Sequence, residues 1–176
     1  MRKITIVYYS PLGTCEEISQ RIGREISAVW QDAEIELLSL THADERKAAI
    51  ERGVSCDLLF LVFPMYAQNM PRQVAEMLEK CEINATFASM VCAYGKGNPT
   101  LALRRVRVVL TKKGMPTVSA MHLPVGRVHK EKTGSPVLPE YDCAGFVEST
   151  LSNADVGERA RLSCSAEEKK APHYYL

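Results

Sequence analysis

The residues best suited to chemistry begin with a short loop near the start of the chain. Residues 10–15 read SPLGTC and separate a β-branched apolar run from an amphipathic segment. Proline and glycine end the strand pattern. The helix that follows presents backbone N–H groups and the positive end of its dipole. Because the hydroxyls of Ser10 and Thr14 add donors, the loop predicts a phosphate-binding site.

Two further loops each place a tyrosine just after an apolar run. Tyr66 lies between Pro64 and Pro71, which stiffen the loop, and Tyr94 is followed by glycines that let backbone groups approach a ring edge. A tyrosine ring can stack on a planar ligand, which contributes about 1 kcal/mol beyond area burial. Two tyrosines beside a phosphate loop favour a site for a phosphorylated flat heterocycle. The alternative is that both rings only fill their loops.

A repeating strand–helix pattern must position these loops. Apolar, β-rich runs lie at residues 4–9, 35–40, 57–63, 87–93 and 117–123. Helical patterns lie between and after them, at residues 14–30, 43–52, 71–81, 100–113 and 140–151. The alternation predicts an α/β, three-layer fold with a five-stranded parallel sheet in the order 2-1-3-4-5. The three loops then meet at the carboxyl ends of the strands.

Two side chains at the first helix carry predictions of their own. Thr14 and Glu17 have the spacing of a capping box, which predicts reciprocal hydrogen bonds with the backbone. Cys15 lies at the same helix start, where the dipole would favour a thiolate, although a simple loop residue is the preferred interpretation. Hydrolysis or group transfer through Cys15 or His122 is a third, weaker hypothesis, since no catalytic triad or Cys–His pair is evident. His122 and His129 flank the loop after the fifth strand and could reach a ligand, although solvated histidines are the preferred interpretation.

Composition limits the class of protein. The 176 residues are 46% hydrophobic and 24% charged, which is typical of one globular domain. We expect a domain at residues 1–154 and a polar C-terminal tail at 155–176. The sequence has neither a membrane-length apolar run nor a signal peptide, so we expect a cytoplasmic protein without a membrane partner. Six scattered cysteines without a C-x-x-C pair predict no metal or iron–sulfur centre.

Positive charge is concentrated in one part of the chain. Residues 96–132 contain nine Lys and Arg but one acid, Glu131. A solvated helix face is the simplest interpretation. The alternatives are docking of an acidic redox partner or of the phosphates of a nicotinamide nucleotide. We predict no nucleic-acid partner, because no recognised nucleic-acid motif accompanies the charge.

Residues 3–123 resemble the flavodoxin family, in particular flavodoxin-like domains with Pro-x-Tyr after strand three and Tyr-Gly after strand four. The family binds the FMN phosphate in the first loop and the isoalloxazine ring in the other two. The resemblance therefore implies FMN as cofactor. The cofactor-binding residues that follow are Ser10, Leu12, Gly13, Thr14, Cys15, Pro64, Met65, Tyr66, Ala67, Ala93, Tyr94, Gly95 and Asn98.

The resemblance implies an electron carrier, with an FMN-dependent NAD(P)H oxidoreductase as the enzymatic version. Related domains are often fused to a ferredoxin module, which this sequence lacks. A redox partner, such as an iron–sulfur protein or a reductase, is therefore expected on another chain.

Two residues depart from the family pattern. Leu12 and Cys15 stand where the family has hydroxyl side chains that bond the phosphate. Loss of two such bonds, at roughly 1.5–3 kcal/mol each, would weaken FMN binding by about two to four orders of magnitude. The alternative hypothesis is a flavodoxin-like scaffold with weak or lost FMN binding that acts as a binding or regulatory module.

Overall fold

The computed structural model describes residues 2–125 and 138–168. It contains a parallel sheet of five strands in the order β2-β1-β3-β4-β5, so the α/β class and the sheet order predicted from the sequence are confirmed. In chain order the elements are β1 (Lys3–Tyr8), α1 (Thr14–Val29), β2 (Glu34–Ser39), α2 (Ala43–Arg52), β3 (Val54–Pro64), α3 (Arg72–Lys80), β4 (Ile83–Tyr94), α4 (Thr100–Lys112), β5 (Thr117–Pro124) and α5 (Cys143–Glu168).

The central strand β3 explains why both faces of the sheet are covered. Side chains at alternate positions along a strand point to opposite faces. Leu59 and Phe63 pack in a cluster with Val74 of α3, whereas Phe60 packs in a second cluster with Ile22 of α1. All five side chains are fully buried. Because β3 is buried on both faces, the loops at the carboxyl ends of β1 and β3 extend from a well-packed core.

Strands β3 and β4 begin earlier than the sequence indicated. The pairing of β3 with β4 extends from Val54 opposite Ile83 to Pro64 opposite Ala93. The first residues of β3 alternate between buried and exposed, so the apolar run captures only the strand's fully buried part. The carboxyl ends of both strands, which matter for the site, lie within a residue of their predicted positions.

Helix α5 is longer than predicted. It begins at Cys143, where the Asp142 carboxylate accepts a hydrogen bond of 2.8 Å from the Gly145 N–H, and it continues to Glu168. The buried residues Leu151 and Ala154 belong to the same apolar cluster as α1. Helical backbone thus continues past residue 154, and the division into domain and tail stays a prediction. His129 lies outside the described residues.

No helix within residues 2–125 and 138–168 is both long and apolar enough to cross a bilayer.

Candidate functional site

The loops after β1, β3 and β4 meet at the carboxyl edge of the sheet and enclose a cavity of about 120 Å³. Of the thirteen residues predicted for the site, ten line this cavity. The other three are Gly13, Ala67 and Asn98. Pro11 and Val125 also line the cavity and were not among the predicted residues. Val125 follows β5 directly, and the position of that strand at the sheet edge next to β4 is the signal that could have identified it.

Gly13 shapes the first loop without lining the cavity. It is the N-cap of α1 and has a φ of 85°, in the left-handed region that a side chain disfavours. Its N–H donates to the Ser10 carbonyl at 3.3 Å, and its own carbonyl accepts from the Glu17 N–H at 3.1 Å. Gly13 therefore turns the chain sharply between β1 and α1, so that the helix begins beside the cavity.

The capping-box prediction for Thr14 and Glu17 is wrong. Because Gly13 is the N-cap, Thr14 is the first residue inside the helix, and neither the Thr14 hydroxyl nor Oε2 of Glu17 has a hydrogen-bond partner among residues 2–125 and 138–168. The Ser10 hydroxyl caps the helix instead, accepting from the Glu16 N–H at 2.9 Å.

An unpartnered hydroxyl therefore lies at the helix start. Thr14 is 6% exposed, and its buried Oγ1 makes no hydrogen bond to the part of the chain that the structure describes. A buried polar group left without a partner costs about 1–3 kcal/mol. Helix geometry also leaves the first backbone N–H groups, here those of Thr14 and Cys15, without intrahelical acceptors. The Ser10 oxygen accepts a bond, which leaves its own O–H free to donate. This donor set suits an anion.

Cys15 is not an activated thiol. It is 2% exposed, and burial raises its pKa far above the ordinary value, with the nearby Cys92 adding to the rise. Burial likewise raises the pKa of Cys92 to about 12. Burial disfavours the charged form of the thiol, which argues against the thiolate alternative and agrees with the preferred interpretation of Cys15 as a simple loop residue. Cys15 forms an apolar part of the cavity wall, and it supplies no nucleophile for hydrolysis or group transfer.

The second loop contains a tight hairpin that presents Tyr66. Tyr66 and Asn69 exchange backbone hydrogen bonds of 3.0 and 2.9 Å, and the two residues between them, Ala67 and Gln68, have φ values of 48° and 61°. Positive φ at both central positions is the pattern of a type I′ turn. Tyr66 is 46% exposed at the cavity edge. Partial burial, with Tyr9 and Cys15 nearby, raises the pKa of its phenol, which therefore stays neutral.

The third loop places Tyr94 against β5. The Tyr94 carbonyl accepts from the Val125 N–H at 2.9 Å, and its ring centroid lies 5.8 Å from that of His122 at an interplanar angle of 58°. The Met65 N–H donates to the Ala93 carbonyl at 2.7 Å, which ties the second loop to the third. Asn98 does not line the cavity, because its side-chain oxygen accepts from the Thr100 N–H at the start of α4.

The fold recurs in flavoproteins of known structure. The apo form of an NADH:FMN oxidoreductase (EmoB) superposes with a TM-score of 0.62 at 16% identity, over 88% of this chain and 89% of that one. A flavodoxin from the domain Archaea gives 0.54 at 13% identity, over 90% and 99%. A rubredoxin oxygen:oxidoreductase from Desulfovibrio gigas gives 0.61 at 12% identity, over 90% of this chain but 37% of that one.

This chain has the flavodoxin-like fold. The structural resemblance predicted from the sequence is thereby confirmed. No protein-family profile matches the sequence, and no curated protein matches it. At these identities the likeness establishes the flavodoxin-like fold alone, so the use of the site has to be argued from its own residues.

Proposed function

We propose that this chain binds FMN non-covalently at the cavity and serves in flavin-mediated electron transfer. The observation that carries the proposal is the unpartnered Thr14 hydroxyl at the start of α1. Thr14 lines the same cavity as Tyr66 and Tyr94. Rotation about χ1 redirects a threonine hydroxyl, so Thr14 can turn toward a ligand in the cavity that it lines. Flavin cofactors, when bound, accept and donate electrons, and the protein supplies binding and orientation.

Each loop has a separate task in this proposal. The first loop holds the phosphate through the Thr14 and Ser10 hydroxyls and the N–H groups at the helix start. Tyr66 and Tyr94 stack against the isoalloxazine ring and exclude water from it. The hydrogen bond between Met65 and Ala93 keeps the two ring-binding loops in register.

The proposal takes the chain as an electron carrier, with an enzyme that oxidises NAD(P)H as the alternative. The cavity volume of about 120 Å³ lies below the roughly 300–1,000 Å³ of typical small-molecule pockets, so a bound flavin would remain partly exposed. Leu12 and Tyr66 are also exposed at its edge, at 42% and 46%. An exposed cofactor edge admits electron exchange with a docked protein and also hydride transfer from a nicotinamide, so turnover has to separate the two. The oxidoreductase alternative requires steady-state oxidation of NADH or NADPH by the FMN-loaded protein.

The test compares FMN with riboflavin, which lacks the phosphate. Titration is followed by flavin fluorescence, with the wild type, Thr14→Val and the control Thr117→Val. Thr117 also has a buried, unpartnered hydroxyl, but it lies at the opposite end of the sheet, at the start of β5. Loss of a hydrogen bond to a charged group, at about 1.5–3 kcal/mol, predicts about 10- to 100-fold weaker FMN binding for Thr14→Val. Riboflavin binding and the control should be unchanged.

If Thr14→Val weakened FMN and riboflavin binding equally, Thr14 would not be a phosphate contact. Absence of flavin binding by the wild type would favour the second candidate, a scaffold that acts as a binding or regulatory module. Two observations support that candidate: Leu12 has no donor, and the Cys15 thiol is buried and protonated.

A further inference from the structure

Helix α4 has an apolar face and a basic face. Its buried residues Ala102, Val106 and Leu110 pack into the core. The opposite side, called here the α4 face, carries residues at the spacing that shares one helical surface. The α4 face comprises Leu101, Arg104, Arg105, Val108 and Lys112, all exposed.

The positive charges of α4 are not neutralised within the described residues. The helix contains no Asp or Glu, and the ion pairs found in residues 2–125 and 138–168 involve Arg2, Lys47, Arg52 and Lys80 rather than any α4 residue. Like charges at neighbouring helix positions repel each other. No ion pair among the described residues therefore occupies the cluster, which leaves its charges accessible to solvent or to a negatively charged partner.

Apolar side chains lie within this charged surface. Leu101 is 39% exposed and Val108 is 47% exposed, one on each side of Arg104 and Arg105. Apolar contacts surrounded by charge are typical of protein–protein interfaces, where the charge sets orientation and association rate. Tyr94 and Gly95 line the cavity at the end of β4, and the short loop that they begin leads directly into the first turn of α4. The α4 face thus extends from the edge of the candidate flavin site.

We propose that the α4 face docks an acidic protein, whose role as redox partner rests on the proposed function. A nucleic acid fits the charge distribution less well. Residues 2–95 contain thirteen Asp and Glu against nine Lys and Arg, and the whole chain has a net charge of only +1. A long polyanion would meet repulsion beyond α4, whereas a compact acidic protein meets only the α4 face. Leu101 and Val108 add contacts that a phosphate backbone cannot use.

The test uses a small acidic [2Fe–2S] ferredoxin of the plant type as the probe. Its binding to the full chain is measured by fluorescence anisotropy from about 20 to 200 mM NaCl, with and without FMN. The test variant is Arg104→Glu with Arg105→Glu. The matched control is Arg24→Glu with Lys47→Glu, which changes net charge equally at exposed positions on α1 and α2.

We expect wild-type binding that weakens with salt, about tenfold or greater loss in the α4 variant, and a clearly smaller loss in the control. Equal losses in both variants, no wild-type binding at about 20 mM NaCl, or tighter binding of a 20-base-pair DNA duplex than of ferredoxin would each overturn the proposal. FMN titration of the same proteins separates the two proposals. Ferredoxin binding without FMN binding would refute the flavin site and support the α4 face as a docking surface. FMN binding without ferredoxin binding would support the flavin site and refute the docking proposal.

Discussion

The hairpin that presents Tyr66 should be stabilised by changing its two central residues. Ala67 and Gln68 have φ values of 48° and 61°, and the left-handed region costs a residue with a Cβ about 1–2 kcal/mol. The double change Ala67→Asn and Gln68→Gly introduces the Asn-Gly pair that type I′ turns favour. Glycine at position 68 also raises the conformational entropy of the unfolded chain, which lowers the free energy of unfolding by about 0.5–1 kcal/mol and offsets part of the gain. The net expectation is an increase of about 1–2 kcal/mol in the free energy of unfolding.

Urea denaturation followed by circular dichroism measures this change. The expected result is a higher urea midpoint at an unchanged m-value, with a melting temperature raised by about 2–8 °C for a chain of this size. Gln31→Gly is the matched control, because Gln31 lies in an exposed turn where φ is not positive. There glycine should destabilise by about 0.5–1 kcal/mol. If the hairpin variant is no more stable than the wild type, the strain assigned to Ala67 and Gln68 is wrong.

Three further predictions concern the first loop and the buried thiols. Gly13→Ala, at a φ of 85°, should lower the free energy of unfolding by about 1–2 kcal/mol in urea denaturation and weaken FMN binding in the same preparation. Leu12→Thr with Cys15→Thr should raise FMN affinity in fluorescence titration, and an unchanged affinity would mean that the loop does not hold the phosphate. The Cys92 pKa is raised from 9.0 to about 12, so between these values the folded state holds the thiol proton that the unfolded state has lost. Stability should therefore fall as pH rises from 9 toward 12, and less steeply in Cys92→Val, as measured by urea midpoints at several pH values.

The sheet and the meeting point of the loops could be predicted because they depend on simple periodic signals. A continuous apolar run such as that ending at Phe63 is typical of a strand buried on both faces, and alternation with helices favours parallel strands. The strand ends follow from Pro64 and the residues after Tyr94. Once the order 2-1-3-4-5 is adopted, three loops with unusual composition fall on one edge.

The details of the site depend on contacts that local sequence does not reveal. Thr14 has a capping-box partner in the sequence, but the positive φ of Gly13 moves the N-cap one residue earlier. Cys15 is at a helix start, yet its burial in the apolar cluster that it shares with Val62 and Ala93 is a tertiary property. The hairpin at Ala67 and Gln68 has neither Gly nor Asn at its centre, so its turn type carried no sequence signal.

The departures at Leu12 and Cys15 have different physical consequences for the proposed phosphate site. The Leu12 side chain has no hydrogen-bond donor to offer a phosphate. It is 42% exposed and therefore does not pack into the core. Cys15 is 2% exposed and packs among apolar neighbours, where a threonine hydroxyl would need a partner of its own. The phosphate donors that remain are concentrated at Ser10, Thr14 and the helix start. Affinity for FMN should therefore respond more strongly to Thr14 than to any other single side chain of the first loop.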